Sequence, residues 1–172
     1  MVARGDLGVE IPAYRVPAIQ KFIVKKSVAK AKPVIIATQM LESMTDNISA
    51  TRAEINDVAN SVIDGADAMM LSGETSVGKH PLRVVDTMRK VIKDVERSKH
   101  SISKNTPERE LVVNDRFVSN AICANACQIS EKVSAKAIIT ATYSGYNTIK
   151  TSSYRPTAYI YAFTNNHTIL NL

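Results

Sequence analysis

The sequence predicts an α/β protein built on parallel strands, and three observations lead to that fold class. Short apolar runs alternate with helical patterns three times before residue 98, and the connections between them are short, as in parallel sheets. Hydrophobic residues make up 45% of the 172 residues, which is enough for a core. Aromatic residues make up only 5%, with no tryptophan, which favours aliphatic packing of the α/β kind.

The first repeat of this pattern opens the chain. An apolar run ends at Arg4, two glycines then bracket Asp6, and a helical pattern follows. We therefore expect the end of a buried strand, a tight turn and the start of a helix. Residues 16–31 carry apolar side chains at helical spacing, and the β-branched run 34–37 predicts a second strand that stops at Thr38.

The next elements carry clear boundary signals. Thr51 stands three residues before Glu54, which predicts a capping box at the start of a helix, and Gly65 predicts the end of that helix. Residues 66–71 form the third predicted strand, and Pro81 begins the helix after it.

A polar stretch in the middle of the chain interrupts the pattern. We place a linker there, at 99–114, between a first domain at 1–98 and a second domain at 115–172. Asp115 is expected to cap the first helix of the second domain. The elements predicted there are a helix, a strand, a short helix and a strand, at 115–133, 137–142, 148–154 and 158–163.

The formal net charge is +6, and part of it is concentrated on one predicted helix. A basic face of this kind can bind nucleic acid, but interleaved aromatic residues, a recognition motif and a zinc pattern are all missing from the sequence. A solvated helix face is therefore preferred, and no nucleic-acid partner is expected. The lysines concerned are Lys21, Lys25, Lys26, Lys30 and Lys32.

Two cysteines, Cys123 and Cys127, lie four residues apart on an apolar helical stretch. Two thiols without a nearby histidine are too few for a structural zinc site. We expect two buried, reduced thiols, as in a cytosolic protein. No apolar run approaches the length needed to span a membrane. The predicted localisation is therefore cytoplasmic, with no membrane partner.

The opening stretch also suggests a binding site. Gly5 and Gly8 would let a ligand approach the main chain, and the unpaired amides at a helix start attract an anion. Asp6 adds a carboxylate, which suits a hard divalent cation. Two other interpretations exist: an ordinary glycine-rich turn, and the Arg-Gly-Asp adhesion tripeptide, which requires an exposed loop on a secreted protein.

Polar side chains follow all three strands of the first domain. Asp6, Thr38 and residues 72–74 each come directly after a predicted strand. Because parallel strands end on one rim of the sheet, these side chains are expected to converge there. Taken singly, Thr38, Ser72 and Glu74 could each be an ordinary cap of a helix or turn.

Four motifs in the first domain together resemble pyruvate kinase. They are ARGDLGVEIP at 3–12, ATQMLESM at 37–44, TRAE at 51–54 and MLSGET at 70–75. The linker, the alanine-rich helix and TYSG at 142–145 resemble the start of that family's C-terminal domain. The resemblance implies the last part of a (β/α)8 TIM-type barrel, followed by the start of a second α/β domain with a parallel sheet.

The resemblance also implies a reaction, which is phosphoryl transfer from phosphoenolpyruvate to ADP, giving pyruvate and ATP. It implies Mg²⁺ or Mn²⁺ and K⁺ as cofactors, and a homotetramer as the intact enzyme. Asp6 matches the family's aspartate ligand of the divalent ion. Gly5, with its own amide and that of Asp6, matches the seat of the substrate carboxylate. Thr38 matches the substrate-binding threonine that helps in the protonation step.

Other positions match the family in less direct roles. Arg4, Ser72 and Glu74 match supporting positions near the site, and Arg52 matches an arginine at a subunit contact.

The turn in the second domain matches a phosphate loop. Thr142, Ser144 and Gly145 match the loop that binds the phosphate of a sugar bisphosphate effector in regulated members. Asn147 stands where a serine is usual and Tyr143 where a lysine often occurs, so a weakened or different effector is implied.

By the same resemblance, several parts of the family's site lie upstream of Met1: a second carboxylate, a lysine, the K⁺ site and the nucleotide-covering domain. We therefore expect this polypeptide by itself to be inactive. One alternative is a non-catalytic, oligomerising fragment derived from the enzyme. Another is a different barrel enzyme that handles enolpyruvates, although such a protein is not expected to combine residues 72–75 with the C-terminal domain.

Overall fold

A computed structural model of the chain describes residues 1–98 and 115–171. The chain divides into two compact units, Met1–Asn105 and Thr106–Leu172. The predicted linker, 99–114, lies outside the described residues, and the predicted domain limits stay a prediction.

The first unit alternates strands and helices, as the sequence pattern predicts. Short 3₁₀ turns at Ala13–Arg15 and Glu42–Thr45 complete it. In chain order the elements are β1 Val2–Ala3, α1 Arg4–Glu10, α2 Val16–Ala29, β2 Ile35–Ala37, α3 Arg52–Asp64, β3 Ala68–Met70, α4 Gly73–Ser76 and α5 Pro81–Arg97.

The three strands of this unit form one parallel sheet in the order β1-β2-β3. Ala3 lies opposite Ala37, and Ala37 lies opposite Met70. The residue after each of these three positions therefore lies on the same rim of the sheet, the carboxyl rim, which is where polar residues were expected to converge.

Aliphatic and methionine side chains form the core of the first unit. The strands, the segment after β2 and one face each of α2, α3 and α5 contribute to it. The fully buried members are Val2, Val24, Val34, Ile36, Met40, Leu41, Met44, Val58 and Val84. Three of these come from the segment 40–44, so the chain just after β2 is packed into the core rather than left as a free loop.

The start of α3 has the capping box that the sequence predicts. The Thr51 hydroxyl accepts a hydrogen bond from the Glu54 amide at 3.2 Å, and Glu54 Oε2 accepts one from the Thr51 amide at 2.8 Å. Glu54 also accepts bonds from the Ser43 amide, at 2.7 Å, and the Ser43 hydroxyl, at 2.5 Å. The helix ends at Gly65, whose φ of 101° is left-handed, as predicted. Glu54 therefore ties α3 to the segment after β2.

These bonds make stability depend on pH through Glu54. Burial opposes ionisation of its carboxyl group, but the hydrogen bonds from Ser43 and Thr51 outweigh burial and lower its pKa from 4.5. A carboxyl group whose pKa is lowered by folding stabilises the fold above its unfolded pKa, and this contribution is lost as the pH falls through the lower folded value. When the pH is lowered below about 4.5, we expect the urea concentration at the unfolding midpoint of the first unit to decrease. The decrease should be less steep in Glu54→Gln. An equal slope in both proteins would contradict this assignment.

One prediction about the opening stretch is wrong. The chain has no tight turn between β1 and α1, because α1 begins at Arg4, directly after the strand. Gly5 and Gly8 lie inside this helix. Among the described residues, positive φ at glycine occurs only at Gly65 and Gly145. Gly5 lies beside another segment, since an added Cβ would stand 3.4 Å from the Thr38 hydroxyl oxygen, in van der Waals contact.

The second unit contains α6 Phe117–Lys132, β4 Ala137–Ala141, α7 Tyr146–Ser153, β5 Tyr159–Phe163 and α8 His167–Leu170. Its two strands pair in parallel, with Ile139 opposite Tyr161.

The expectation that Asp115 caps α6 is wrong, because the helix begins later and its N-cap is Arg116. The Arg116 guanidinium lies over the Tyr146 ring, 4.1 Å from its centre.

Both cysteines of α6 are unpaired and buried, as predicted. The Cys123 Sγ lies 3.7 Å from the carbonyl oxygen of Asn147, and the Cys127 Sγ lies 3.6 Å from that of Thr151. Burial raises the pKa of the Cys127 thiol to about 11, with smaller contributions from Cys123 and Glu131. The thiols therefore pack α6 against α7. Among residues 1–98 and 115–171, every helix is too short or too polar to cross a membrane.

Candidate active site

The carboxyl rim brings two of the predicted site residues into direct contact. The Gly5 amide donates a hydrogen bond to the Thr38 hydroxyl oxygen at 2.8 Å, although 33 residues separate them. The same hydroxyl donates to the Ala37 carbonyl oxygen at 2.6 Å. The chain after β1 is thus joined to the chain after β2 through the Thr38 side chain.

Thr38 has an unusual backbone conformation. Its φ is 68° and that of Gln39 is 53°, so two consecutive residues other than glycine are left-handed. For a β-branched residue such a φ is an outlier, and strain of this kind costs about 1–3 kcal/mol per residue. Surrounding contacts must therefore hold the segment. Strain of this type is often found at functional sites.

Arg4 supplies those contacts. Its side chain is buried, and its Nε and Nη2 donate to the Thr38 carbonyl oxygen at 3.1 and 2.7 Å. Nη2 also donates to the Gln39 carbonyl oxygen at 2.7 Å. On its other side, Nη1 donates to both carboxylate oxygens of Asp57, at 2.8 and 2.7 Å. Arg4 therefore holds the strained segment against α3.

Asp57 is a residue that the sequence reasoning missed. It lies on α3, 53 residues after Arg4, and no local pattern marks it as different from other helix-surface acids. Only the packing of α3 beside the rim brings its carboxylate to the guanidinium.

Asp6 lies in the first turn of α1, next to the Gly5–Thr38 contact, and its side chain is exposed. Within residues 1–98 and 115–171, no group of three or more His, Cys, Asp or Glu side chains is arranged to hold a metal ion. A single carboxylate is still the type of ligand that Mg²⁺ uses, because this ion often takes one or two carboxylates together with substrate oxygens and water. Asp6 thus fits as one ligand of a shared site.

Ser72 and Glu74 follow β3 on the same rim, but their hydrogen bonds are local. Glu74 is buried, and its Oε2 accepts from the Ser72 amide at 3.0 Å. The Thr75 hydroxyl donates to the Ser72 carbonyl oxygen at 3.1 Å. Glu74 therefore binds the amide of the residue just before its own short helix, α4, rather than another segment. Its second carboxylate oxygen, Oε1, is buried without a hydrogen-bond partner among the described residues.

A cleft of about 710 Å³ opens beside Arg4 and Gly5, between α1, α2 and α3. Asp57 and Gln39 also line it.

Arg52, the expected subunit contact, is the first residue of α3 and is exposed.

The predicted phosphate loop of the second unit lies at the carboxyl end of β4. The Thr142 amide donates to the Phe163 carbonyl oxygen at 3.0 Å, and Ser144 is exposed. Gly145 has a φ of 75° and is the N-cap of α7. An added Cβ at Gly145 would only reach van der Waals contact with Ile169, at 3.4 Å, so it is the backbone conformation that favours glycine there.

Two domain models of one known protein family match the chain, one in each unit. The family model described as pyruvate kinase, barrel domain, matches residues 1–85, and the one described as pyruvate kinase, alpha/beta domain, matches residues 120–171. These matches confirm the predicted fold class, which is the last part of a barrel followed by a second α/β domain.

Several curated relatives are similar to nearly the whole chain. Pyruvate kinase of Thermotoga maritima is 46% identical over 164 residues, which cover 95% of this chain and 34% of that protein. The Geobacillus stearothermophilus pyruvate kinase is 44% identical over 172 residues, covering 98% of this chain and 28% of that protein. The Mycobacterium tuberculosis pyruvate kinase is 50% identical over 145 residues, which cover 84% of this chain and 29% of that protein. The chain thus spans about a third of the length of these relatives, and by the two domain matches and these identities it belongs to the pyruvate kinase family.

Proposed function

We propose that this chain supplies part of the active site of a pyruvate kinase, which transfers the phosphoryl group of phosphoenolpyruvate to ADP and yields pyruvate and ATP. The observation that carries the proposal is the 2.8 Å bond from the Gly5 amide to the Thr38 hydroxyl oxygen, with the exposed Asp6 carboxylate beside it. A hydroxyl group, helix-start amides and a carboxylate thus lie on one rim of the sheet, and helix-start amides attract anions. The relatives of this chain are named pyruvate kinase.

Thr38 is proposed to bind substrate and to assist protonation of the enolpyruvate. A hydroxyl group has one donor and two acceptor positions. In Thr38 the donor is directed at Ala37 and one acceptor position is taken by Gly5. One acceptor position remains, at which a water molecule can donate. As the hydroxyl gives its own proton to the enolpyruvate carbon, this water would give the oxygen a proton in return and leave as hydroxide. The hydroxyl then acts as a relay rather than as the ultimate acid.

Gly5 and Asp6 are proposed to bind the substrate carboxylate and a divalent cation. Because the Gly5 amide is engaged by Thr38, the Asp6 amide is proposed as the donor to the substrate carboxylate, with Gly5 beside it in the seat. The Asp6 carboxylate would hold Mg²⁺ or Mn²⁺. When bound, such an ion offsets negative charge on the phosphoryl group. By the resemblance, the K⁺ site of the intact enzyme lies outside these residues.

The remaining assignments follow the family resemblance. Arg4, Ser72 and Glu74 are proposed to support the rim. Arg52, exposed at the start of α3, is proposed to contact another subunit of a homotetramer in the cytoplasm. For the second unit, we propose that the loop at the carboxyl end of β4 holds an effector phosphate, with a weakened or altered preference. Its residues are Thr142, Ser144 and Gly145.

The chain by itself is proposed to be inactive. Phosphoryl transfer depends on positioning and on several positive charges around the transferred group. Asp6 provides one metal ligand, and Arg4 is fully occupied with Asp57 and the carbonyl groups of the segment after β2.

A second candidate function is a non-catalytic assembly segment. The exposure of large apolar side chains on β5 favours it, with Tyr159 76% and Phe163 62% exposed.

A hybrid enzyme tests the proposed function. In it, these 172 residues replace the matching third of the Thermotoga maritima pyruvate kinase. We expect the hybrid to convert phosphoenolpyruvate and ADP in a lactate-dehydrogenase-coupled assay with Mg²⁺ and K⁺, and the 172-residue chain alone to show no turnover. In the hybrid, Asp6→Asn should lower kcat/KM by about 10²–10³-fold, the range for losing one electrostatic contact to the transition state.

The matched control is Asp86→Asn, which removes an exposed carboxylate from α5 and should leave hybrid activity unchanged. A folded hybrid without activity, or an Asp6→Asn hybrid as active as its parent, would contradict the proposed function. Turnover by the isolated chain would contradict the proposal that it is inactive.

A further inference from the structure

Arg4 holds the strained segment after β2, and Arg4 is itself held by Asp57, a residue that was not among the expected site residues. Thr38 and Gln39 are left-handed, and both of their carbonyl oxygens accept hydrogen bonds from the Arg4 guanidinium. The Gly5 amide holds the Thr38 side chain from the same helix, α1. The orientation of the Thr38 hydroxyl therefore depends on where the Arg4 guanidinium lies.

An arginine side chain by itself does not determine that position, because it has many rotamers of similar energy. The Asp57 carboxylate does, since both of its oxygens accept bonds from Nη1, at 2.8 and 2.7 Å. The two ends of the pair differ in exposure, with 9% of the Arg4 side chain and 34% of the Asp57 side chain exposed. The guanidinium is thus a nearly buried charge for which Asp57 is the bound counter-ion.

Asp57 is also well anchored itself. It lies one turn after the capping box of α3, and Glu54 of that box binds Ser43 at the far end of the segment after β2. Helix α3 therefore holds this segment at two places, through Arg4 near Thr38 and through Glu54 at Ser43.

We propose that Asp57 is a positioning residue of the active site, which holds the Arg4 guanidinium against the carbonyl groups of Thr38 and Gln39 and so maintains the left-handed backbone that orients the Thr38 hydroxyl. The consequence for catalysis rests on the proposed function. The effect on Thr38 itself does not, and it is measurable without substrate.

The test uses NMR spectroscopy of the isotope-labelled 172-residue chain. In Asp57→Asn, the Cα and Cβ chemical shifts of Thr38 should move away from left-handed values. Hydrogen exchange at the Gly5 amide should become about tenfold faster or more, because its bond to the Thr38 hydroxyl loosens. The matched control is Asp64→Asn on the same helix as Asp57, which breaks an ion pair with Lys21 of α2 and should leave both signals as in the unmodified chain.

A role in overall stability alone would change the urea midpoint without moving the Thr38 shifts. Unchanged Thr38 shifts and unchanged Gly5 exchange in a folded Asp57→Asn chain would overturn the proposal. Should Asp57→Asn fail to fold, Arg4→Lys provides the same test, because it keeps the charge but loses the forked geometry that spans Asp57 and both carbonyl groups. It is expected to give the same loss of the left-handed signature.

In the hybrid enzyme, Asp57→Asn should lower kcat, as Thr38→Val does, since both changes disturb the hydroxyl that relays the proton. An unchanged kcat in the folded Asp57→Asn hybrid would overturn the link to Thr38. A folded but inactive hybrid with Asp57 intact would instead overturn the proposed function, and the Thr38 signals would still decide the role of Asp57.

Discussion

Replacing Arg4 by methionine is expected to lower the free energy of unfolding of the first unit by roughly 2–4 kcal/mol. Methionine can fill much of the space, but the Asp57 carboxylate loses its counter-ion and the carbonyl oxygens of Thr38 and Gln39 lose their donors. The loss should be somewhat smaller than for a fully buried pair, because 34% of the Asp57 side chain remains exposed to water. Urea titration followed through amide signals of α3 measures this unit by itself.

Two comparisons separate the ion pair from general effects of substitution. Lys79→Met breaks the pair with Asp46, in which both side chains are largely exposed, and should produce no measurable change. The double change Arg4→Met and Asp57→Leu should cost less than Arg4→Met alone, because it removes the unpaired carboxylate. A stability loss in Arg4→Met no larger than in Lys79→Met would show that the network does not hold the segment.

In the hybrid enzyme, Thr38→Val should lower kcat by about 10²–10⁴-fold, the usual contribution of a positioned proton-transfer group. Valine has nearly the same shape but has no hydroxyl, so the relay is lost and the Gly5 amide loses its acceptor at 2.8 Å. Steady-state kinetics with phosphoenolpyruvate and ADP would measure the effect.

Thr38→Ser is the matched control for this change. Serine keeps the hydroxyl and lacks the β-branch, so it is less strained at a φ of 68°. We expect the Thr38→Ser hybrid to keep most of its activity. If Val and Ser variants retained similar activity, the hydroxyl would not take part in the reaction.

The sequence was sufficient for most of the elements, because their signals are local. The capping box of Thr51 and Glu54, the stop at Gly65 and the β-branched run before Thr38 each depend on neighbours within a few residues. The errors at the helix starts have a similar origin. A glycine pair resembles a turn, and Asp115 resembles a cap, when the exact start of the helix is unknown.

The candidate site was only partly predictable. Its residue types could be named from their positions after the strands and from the family motifs, including Asp6 and Thr38. The sequence could not show that the Gly5 amide is already bound to Thr38, nor decide between the local and the site interpretation of Glu74, because both depend on side-chain orientation.

By itself, the sequence determined the order of strands and helices, the parallel sheet and the family, since each of these is encoded in short patterns along the chain. Only the tertiary structure decided how Thr38 is held. The guanidinium of Arg4 reaches carbonyl groups 34 and 35 residues away and a carboxylate 53 residues away. No local pattern encodes such contacts, because they exist only once β1, β2 and α3 have packed together.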